Sequence, residues 1–134
     1  MKDNGPDERL RPIYAFLKGL TEDDVDQMPF APDIVLASPL DPDHPLIGRD
    51  AAIQFLKTRV FPSIPVRKAD VERHIVDGEY IGTLWKATFA PPGGSEVVVP
   101  IFDFFRIVNG EIREPRPYFD PKPLRTAAHP ARSG

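Results

Sequence analysis

At 134 residues with a formal charge of −3, the chain is one domain's worth of sequence, long enough for a real core, and it lacks the basic footprint that nucleic acid or an anionic membrane surface would require. It has no cysteine, which excludes disulfides and thiolate metal sites and fits a cytoplasmic setting. No apolar run approaches the roughly 18–20 residues of a membrane-spanning helix, and MKDNGPDERLRP has no signal-type apolar region.

Residues 1–8 are polar and expected to be flexible. From Arg9, the steps Leu10, Ile13, Leu17 and Leu20 predict a helix, with Pro12 in its first turn and Tyr14 beside its apolar stripe. Thr21 reads as the N-cap of a short second helix, with Glu22, Asp23 and Asp24 at its positive end and Val25 and Met28 facing inward. Asp33 to Ser38 reads as a short strand, and Pro39 to Leu46 as a proline-rich loop. Gly48 to Phe61 reads as a third helix, with Ile53, Leu56 and Val60 on one face and Phe55 near it. Val66–Val76 and Glu79–Ala90 read as strands joined at Asp77-Gly78, and two further extended runs flank Asn109-Gly110. The tail at 122–134 has little to bury and is expected to be flexible, which leaves one domain at 9–121. Three helices in the N-terminal half, segregated onto one face of an antiparallel sheet, make an α+β domain, and strong curvature of that sheet would enclose a pocket.

The stretch VVVPIFDFFRIV carries the chemistry, because one carboxylate, Asp103, sits within an otherwise apolar run. Strand alternation puts Val97, Val99, Ile101, Asp103, Phe105 and Ile107 on one face and Val98, Pro100, Phe102, Phe104, Arg106 and Val108 on the other. Arg106 belongs in water, so Asp103 faces inward. The same test on the preceding strand places Lys86 outside and Ile81, Thr83, Trp85, Ala87 and Phe89 inside. Asp103 is then either a structural acid held by neighbouring groups or a pocket acid with a raised pKa. Trp85 reads as pocket wall or plain core, and His74 could point either way. Leaving Phe102 and Phe104 in water would forfeit roughly 1.5–3 kcal/mol each, so a second subunit is expected over the outer face. Three scattered histidines make no metal site.

LKGLTEDDVDQM, DIVLASP, IGRDAAIQFL and VVVPIFDFFRIVNGEI leading into PRPYFDP, in that order and spacing, resemble the nuclear transport factor 2-like superfamily. The likeness is to its ketosteroid-isomerase-like and SnoaL-like polyketide-cyclase members, over roughly residues 9 to 121. It implies a cone of the cystatin-like kind, a curved antiparallel sheet with three helices, commonly dimeric. Ketosteroid isomerases hold a substrate oxygen with a first-helix tyrosine and a protonated aspartic acid; the resemblance puts Tyr14 and Asp103 in those roles. The isomerase base falls at Ser38, before Pro39, and serine cannot serve as that base. PRPYFDP is similar to limonene-epoxide-hydrolase-like members, whose catalytic aspartate falls at Pro117, with their partner groups near Thr83 and Trp85. Asp41, Asp43 and His44 remain as replacement bases from the loop beside Ser38.

Three functions stay open at this point. One is a cofactor-free isomerase, cyclase or dehydratase acting on an apolar carbonyl or phenolic compound. Its pocket would be lined by Ser38, Phe55, Trp85, Ile101, Pro117 and Phe119, with Tyr14 and Asp103 as donors. The second is a protein binding such a ligand without chemistry. The third is a dimeric interaction module whose cone is filled by its own side chains, a reading that a cavity below about 300 Å³ favours. Neither cofactor nor metal, nucleic acid nor membrane is expected as a partner.

Overall fold

The structure, a computed structural model, describes residues 8–128. The expectation of flexible ends at 1–8 and 122–134 therefore falls in large part outside the described residues, as does His129. No helix among the described residues is long and apolar enough to cross a membrane.

Helix α1 spans Arg11–Glu22, with Pro12 near its start, and buries Ile13, Phe16, Leu17 and Leu20 along one stripe. It runs through Thr21, the position expected to start a second helix. The Thr21 hydroxyl donates to the Lys18 carbonyl, and the chain breaks at Asp23, which is left-handed at φ 53°. The cap is Asp24 instead: its carboxylate accepts from the Asp26 N–H at 3.0 Å and opens a single 3₁₀ turn at Val25–Gln27.

Strand β1 (Val35–Leu36) pairs antiparallel with β2 (Leu46–Ile47), bracketing the proline-rich loop. Helix α2 (Arg49–Phe55) widens into a π-helical turn at Leu56–Val60 before α3 (Phe61–Ser63). The Phe61 N–H reaches back five residues to the Leu56 carbonyl. Pro62 has no N–H to give the Thr58 carbonyl, which removes an α-helical bond at this point.

The remainder is a four-stranded antiparallel meander, β3 (Val66–Asp77), β4 (Tyr80–Phe89), β5 (Val97–Val108) and β6 (Glu111–Tyr118), in that spatial order. The β5–β6 turn has both Asn109 and Gly110 at positive φ, 53° and 78°, as a two-residue hairpin turn requires. Register shifts in β3 and β6 bend the sheet, as bulges do. Pro115 and Pro117 are tolerated because β6 is an edge strand. The result is an α+β fold whose sheet curves around the helices without closing.

The alternation expected on β4 and β5 holds. Ile81, Thr83, Trp85, Ala87 and Phe89 are buried beside Val99, Ile101, Asp103 and Phe105, and Lys86 is exposed. On the outer face the Phe102 ring lies across Gly82, where an added Cβ would stand 2.5 Å from it. Helix α4 (Lys122–Ala128) replaces the first part of the expected tail, with Leu124 only 1% exposed in the core.

Candidate functional site

Asp103 stands in a row of directly paired residues that crosses the sheet: His74 on β3, Thr83 on β4, Asp103 on β5 and Pro117 on β6. Thr83 and Asp103 are the two buried polar side chains among the described residues, at 0% and 2% exposure. The Trp85 indole N–H, one pair along, donates to Asp103 Oδ2 at 2.7 Å. No second hydrogen bond reaches the carboxyl from the described residues. Burial pushes its pKa up to about 7, against the opposing pull of the Trp85 bond. Near neutral pH the group is thus divided between acid and carboxylate, the condition in which one side chain can both give and take a proton.

Asp103 opens onto a cavity of about 90 Å³ between the sheet and the helices. Its walls are Phe16 and Leu20 of α1, Phe55, Leu56 and Val60 of the α2 region, Trp85 and Ile101 of the sheet, and Pro115, Pro117 and Phe119 of the last strand and its end. Ser38 and Asp103 bring the polar side chains that touch it, apart from the indole N–H of Trp85. Ser38 Oγ accepts from the Leu40 N–H at 3.1 Å. Two outer clefts share walls with the cavity. One, of about 310 Å³, shares Ser38, Pro117 and Phe119 and adds Arg116 and Tyr118. The other, of about 280 Å³, shares Leu40, Phe55 and Ile64 and adds Arg59 and Arg125.

All six residues expected along a pocket, Ser38, Phe55, Trp85, Ile101, Pro117 and Phe119, meet at this cavity together with Asp103. Tyr14 does not: against the expectation that it shares the donor role with Asp103, it lies away from the cavity. The buried stripe of α1 is taken by Ile13, Phe16, Leu17 and Leu20, which turns Tyr14 toward β3. There it is 41% exposed, and its hydroxyl bonds His74 Nε2 at 2.8 Å. His74 points to the inner face, with Nδ1 on the Thr83 hydroxyl at 2.8 Å. Asp41 and His44 pair with each other at 2.8 Å in the exposed loop, and neither they nor Asp43 lines the cavity. The sequence reading missed Phe16 and Leu20 as wall residues. Phe16 sits three residues after Ile13 on the same stripe, so the periodicity held the signal. Among the described residues no cluster of histidine and carboxylate groups could hold a metal.

A SnoaL-like domain model matches residues 13–114, and the chain belongs to that family. A putative SnoaL-like polyketide cyclase from Jannaschia sp. CCS1 is 21% identical, with TM-score 0.76 over 98% of this chain and 100% of that one. An LEH-like epoxide hydrolase from M. tuberculosis is 21% identical, with TM-score 0.74 over 90% of this chain and 89% of its own. A protein of ketosteroid isomerase-like fold from Catenulispora acidiphila, in complex with trimethylamine, is 18% identical, with TM-score 0.71 over 81% and 85%. These likenesses establish the nuclear transport factor 2-like fold. No curated protein matches the chain in sequence.

Proposed function

We propose that this chain takes a small, largely apolar carbonyl or phenolic compound and that protonated Asp103 donates a hydrogen bond to its oxygen. The reaction class this serves is cofactor-free isomerisation, cyclisation or dehydration. One observation carries the reading: in an otherwise apolar cavity, Asp103 has one oxygen held by Trp85 and the other uncommitted. A donor aimed at a developing oxyanion is worth roughly 2.7–4 kcal/mol. The relatives' names, polyketide cyclase and epoxide hydrolase, support small-molecule work by this fold. Tyr14 is not part of this donor set, because its hydroxyl is engaged by His74. With serine at the isomerase base position and the loop acids outside, Asp103 itself is the proton carrier nearest the substrate.

Thermal-shift titration with phenol and cyclohexenone tests this on the wild type and on Asp103→Asn. Stabilisation of the wild type that falls as pH rises through 7, and is lost in the variant, supports the reading. Equal shifts in both proteins would overturn it. Conversion of a cyclic enone or related carbonyl compound separates an enzyme from a binding protein.

The cavity itself favours a second reading. At about 90 Å³ it is well below the roughly 300 Å³ of a drug-sized site, so the cone could be largely self-filled and serve a dimeric, cytoplasmic interaction module. The outer sheet face suits a homodimer in either case. Val98, Leu84, Phe104 and Tyr118 are exposed there, and Phe104 stacks on Tyr80. Light scattering at micromolar concentration tests it, and a monomer mass would remove the homodimer.

A further inference from the structure

We propose that Tyr14, His74 and Thr83 form the route by which protons reach and leave Asp103. This rests on the reading of Asp103 as a group that changes protonation state, and it assigns a role to three residues outside the cavity wall. The difficulty the route solves is one of access. The acid is 2% exposed, and apart from Ser38, whose hydroxyl accepts from the Leu40 N–H, the cavity beside it is lined by side chains such as Phe16, Leu20 and Ile101 that cannot pass a proton. On its other side the inner face of the sheet offers a line of polar groups. The Tyr14 hydroxyl lies 2.8 Å from His74 Nε2, and His74 Nδ1 lies 2.8 Å from Thr83 Oγ1. Thr83 is the direct cross-strand partner of Asp103. Antiparallel pairing holds such Cβ atoms roughly 4.5–5.5 Å apart, so the last link, which is not a hydrogen bond in the resting geometry, requires the uncommitted carboxyl oxygen to turn toward Thr83. Thr83 at the inner end is fully buried, His74 is partly exposed, and Tyr14 at the outer end is 41% exposed.

The chemistry balances without any further reactant. The tyrosine O–H gives its proton to Nε2, Nδ1–H gives its proton to the threonine oxygen, and the threonine O–H gives its proton to the carboxylate. Water then restores the tyrosine proton. The imidazole ends in its other tautomer and is reset when the next proton travels outward. Such a relay needs a neutral ring, one nitrogen donating and one accepting. Burial lowers the His74 pKa and keeps the ring in that form. The groups facing the ring are Tyr14 from α1 and Thr83 from β4. Lys18, Arg67 and Lys68 share an open groove with Tyr14 at the solvent end. Asp103 itself is faced by Thr83, Trp85, Pro117 and apolar wall residues, none of which titrates.

Trp85, the chain's single tryptophan, makes the test direct because its N–H rests on the acid. Its fluorescence is expected to titrate near pH 7 in the wild type and not in Asp103→Asn. A signal that still titrates in Asp103→Asn overturns the role of Asp103 and leaves nothing for the route to serve. The relaxation of that signal after a pH jump then reads the rate of proton exchange. His74→Gln, Thr83→Val and Tyr14→Phe are expected to slow it by on the order of a hundredfold, the low end of what a positioned proton carrier contributes. The titration midpoint should stay near its wild-type position, which a merely structural role would not separate from the rate. Thr83→Ser, which keeps the hydroxyl, should relax at the wild-type rate. Wild-type relaxation in His74→Gln or Thr83→Val overturns the proposal. So does wild-type relaxation in Tyr14→Phe, a half-exposed position where the substitution does not threaten folding.

Discussion

The two faces of β5 are nearly equal in hydrophobicity and opposite in consequence. On the inner face Phe105 is fully buried and Asp103 sits two residues away, so low polarity works on a charge and lifts its pKa to about 7. On the outer face Phe104 is 37% and Val98 57% exposed, and the ionisable group there, Arg106, reaches Glu79 at 3.0 Å and Glu114 at 3.3 Å near the surface. Apolar surroundings tune chemistry only where a side chain has no route to water. The same composition at the surface makes a binding face instead.

The contrast breaks first at neighbouring phenylalanines. Phe105→Ala should destabilise the protein by roughly 3–5 kcal/mol, the usual cost of emptying a buried aromatic site, in chemical denaturation. Phe104→Ala should barely alter the unfolding of an isolated subunit; its effect belongs in self-association, read by the concentration dependence of mass. Comparable losses in both variants would erase the distinction between the faces.

Asp103→Asn comes next. In the wild type the folded acid keeps its proton between pH about 4 and 7 while the unfolded one ionises, so stability falls across that window and is flat above it. The gap of about three pKa units corresponds to about 4 kcal/mol, an upper bound to what the amide can recover, since its N–H₂ is left in apolar surroundings. Melting temperatures across pH 4–8 should show the descent in the wild type and not in the variant. His74, whose pKa is lowered, contributes an opposite slope just below 6.5, but it is common to both proteins and drops out of the difference.

Arg106→Ala should be smallest. Its ion pairs lie near the surface, where such contacts are worth about 0–1 kcal/mol. A larger loss in a urea titration at moderate salt would mean that the outer face is covered in solution.

Strand alternation made the inner face legible: Arg106, which belongs in water, fixed the phase of β5 and so turned Asp103 inward, and Lys86 fixed that of β4. The walls contributed by β4 and β5, Trp85 and Ile101, followed, because a residue's face on a strand is settled by parity. Helices were less transparent. Tyr14 lies one residue from Ile13, a rotation of about 100°, enough to take it from the cavity side to the β3 flank, and only the docking of α1 decides between them. Thr21 and Asp24 are both good caps, and the left-handed Asp23 that chooses between them is a tertiary outcome. Helix α4 escaped notice because one apolar residue, Leu124, anchors it.

The π turn at Leu56–Val60 supplies Leu56 and Val60 to the cavity wall while Arg59 looks to the outer cleft. A wide turn of this kind amounts to one surplus residue in an otherwise regular helix. Deleting a single codon there would restore ordinary pitch and swing the preceding segment by about 100°, carrying Phe55 off its wall. The bore of the chamber is in that sense set by length more than by composition, and a lineage could widen or close it in one indel without touching the acid.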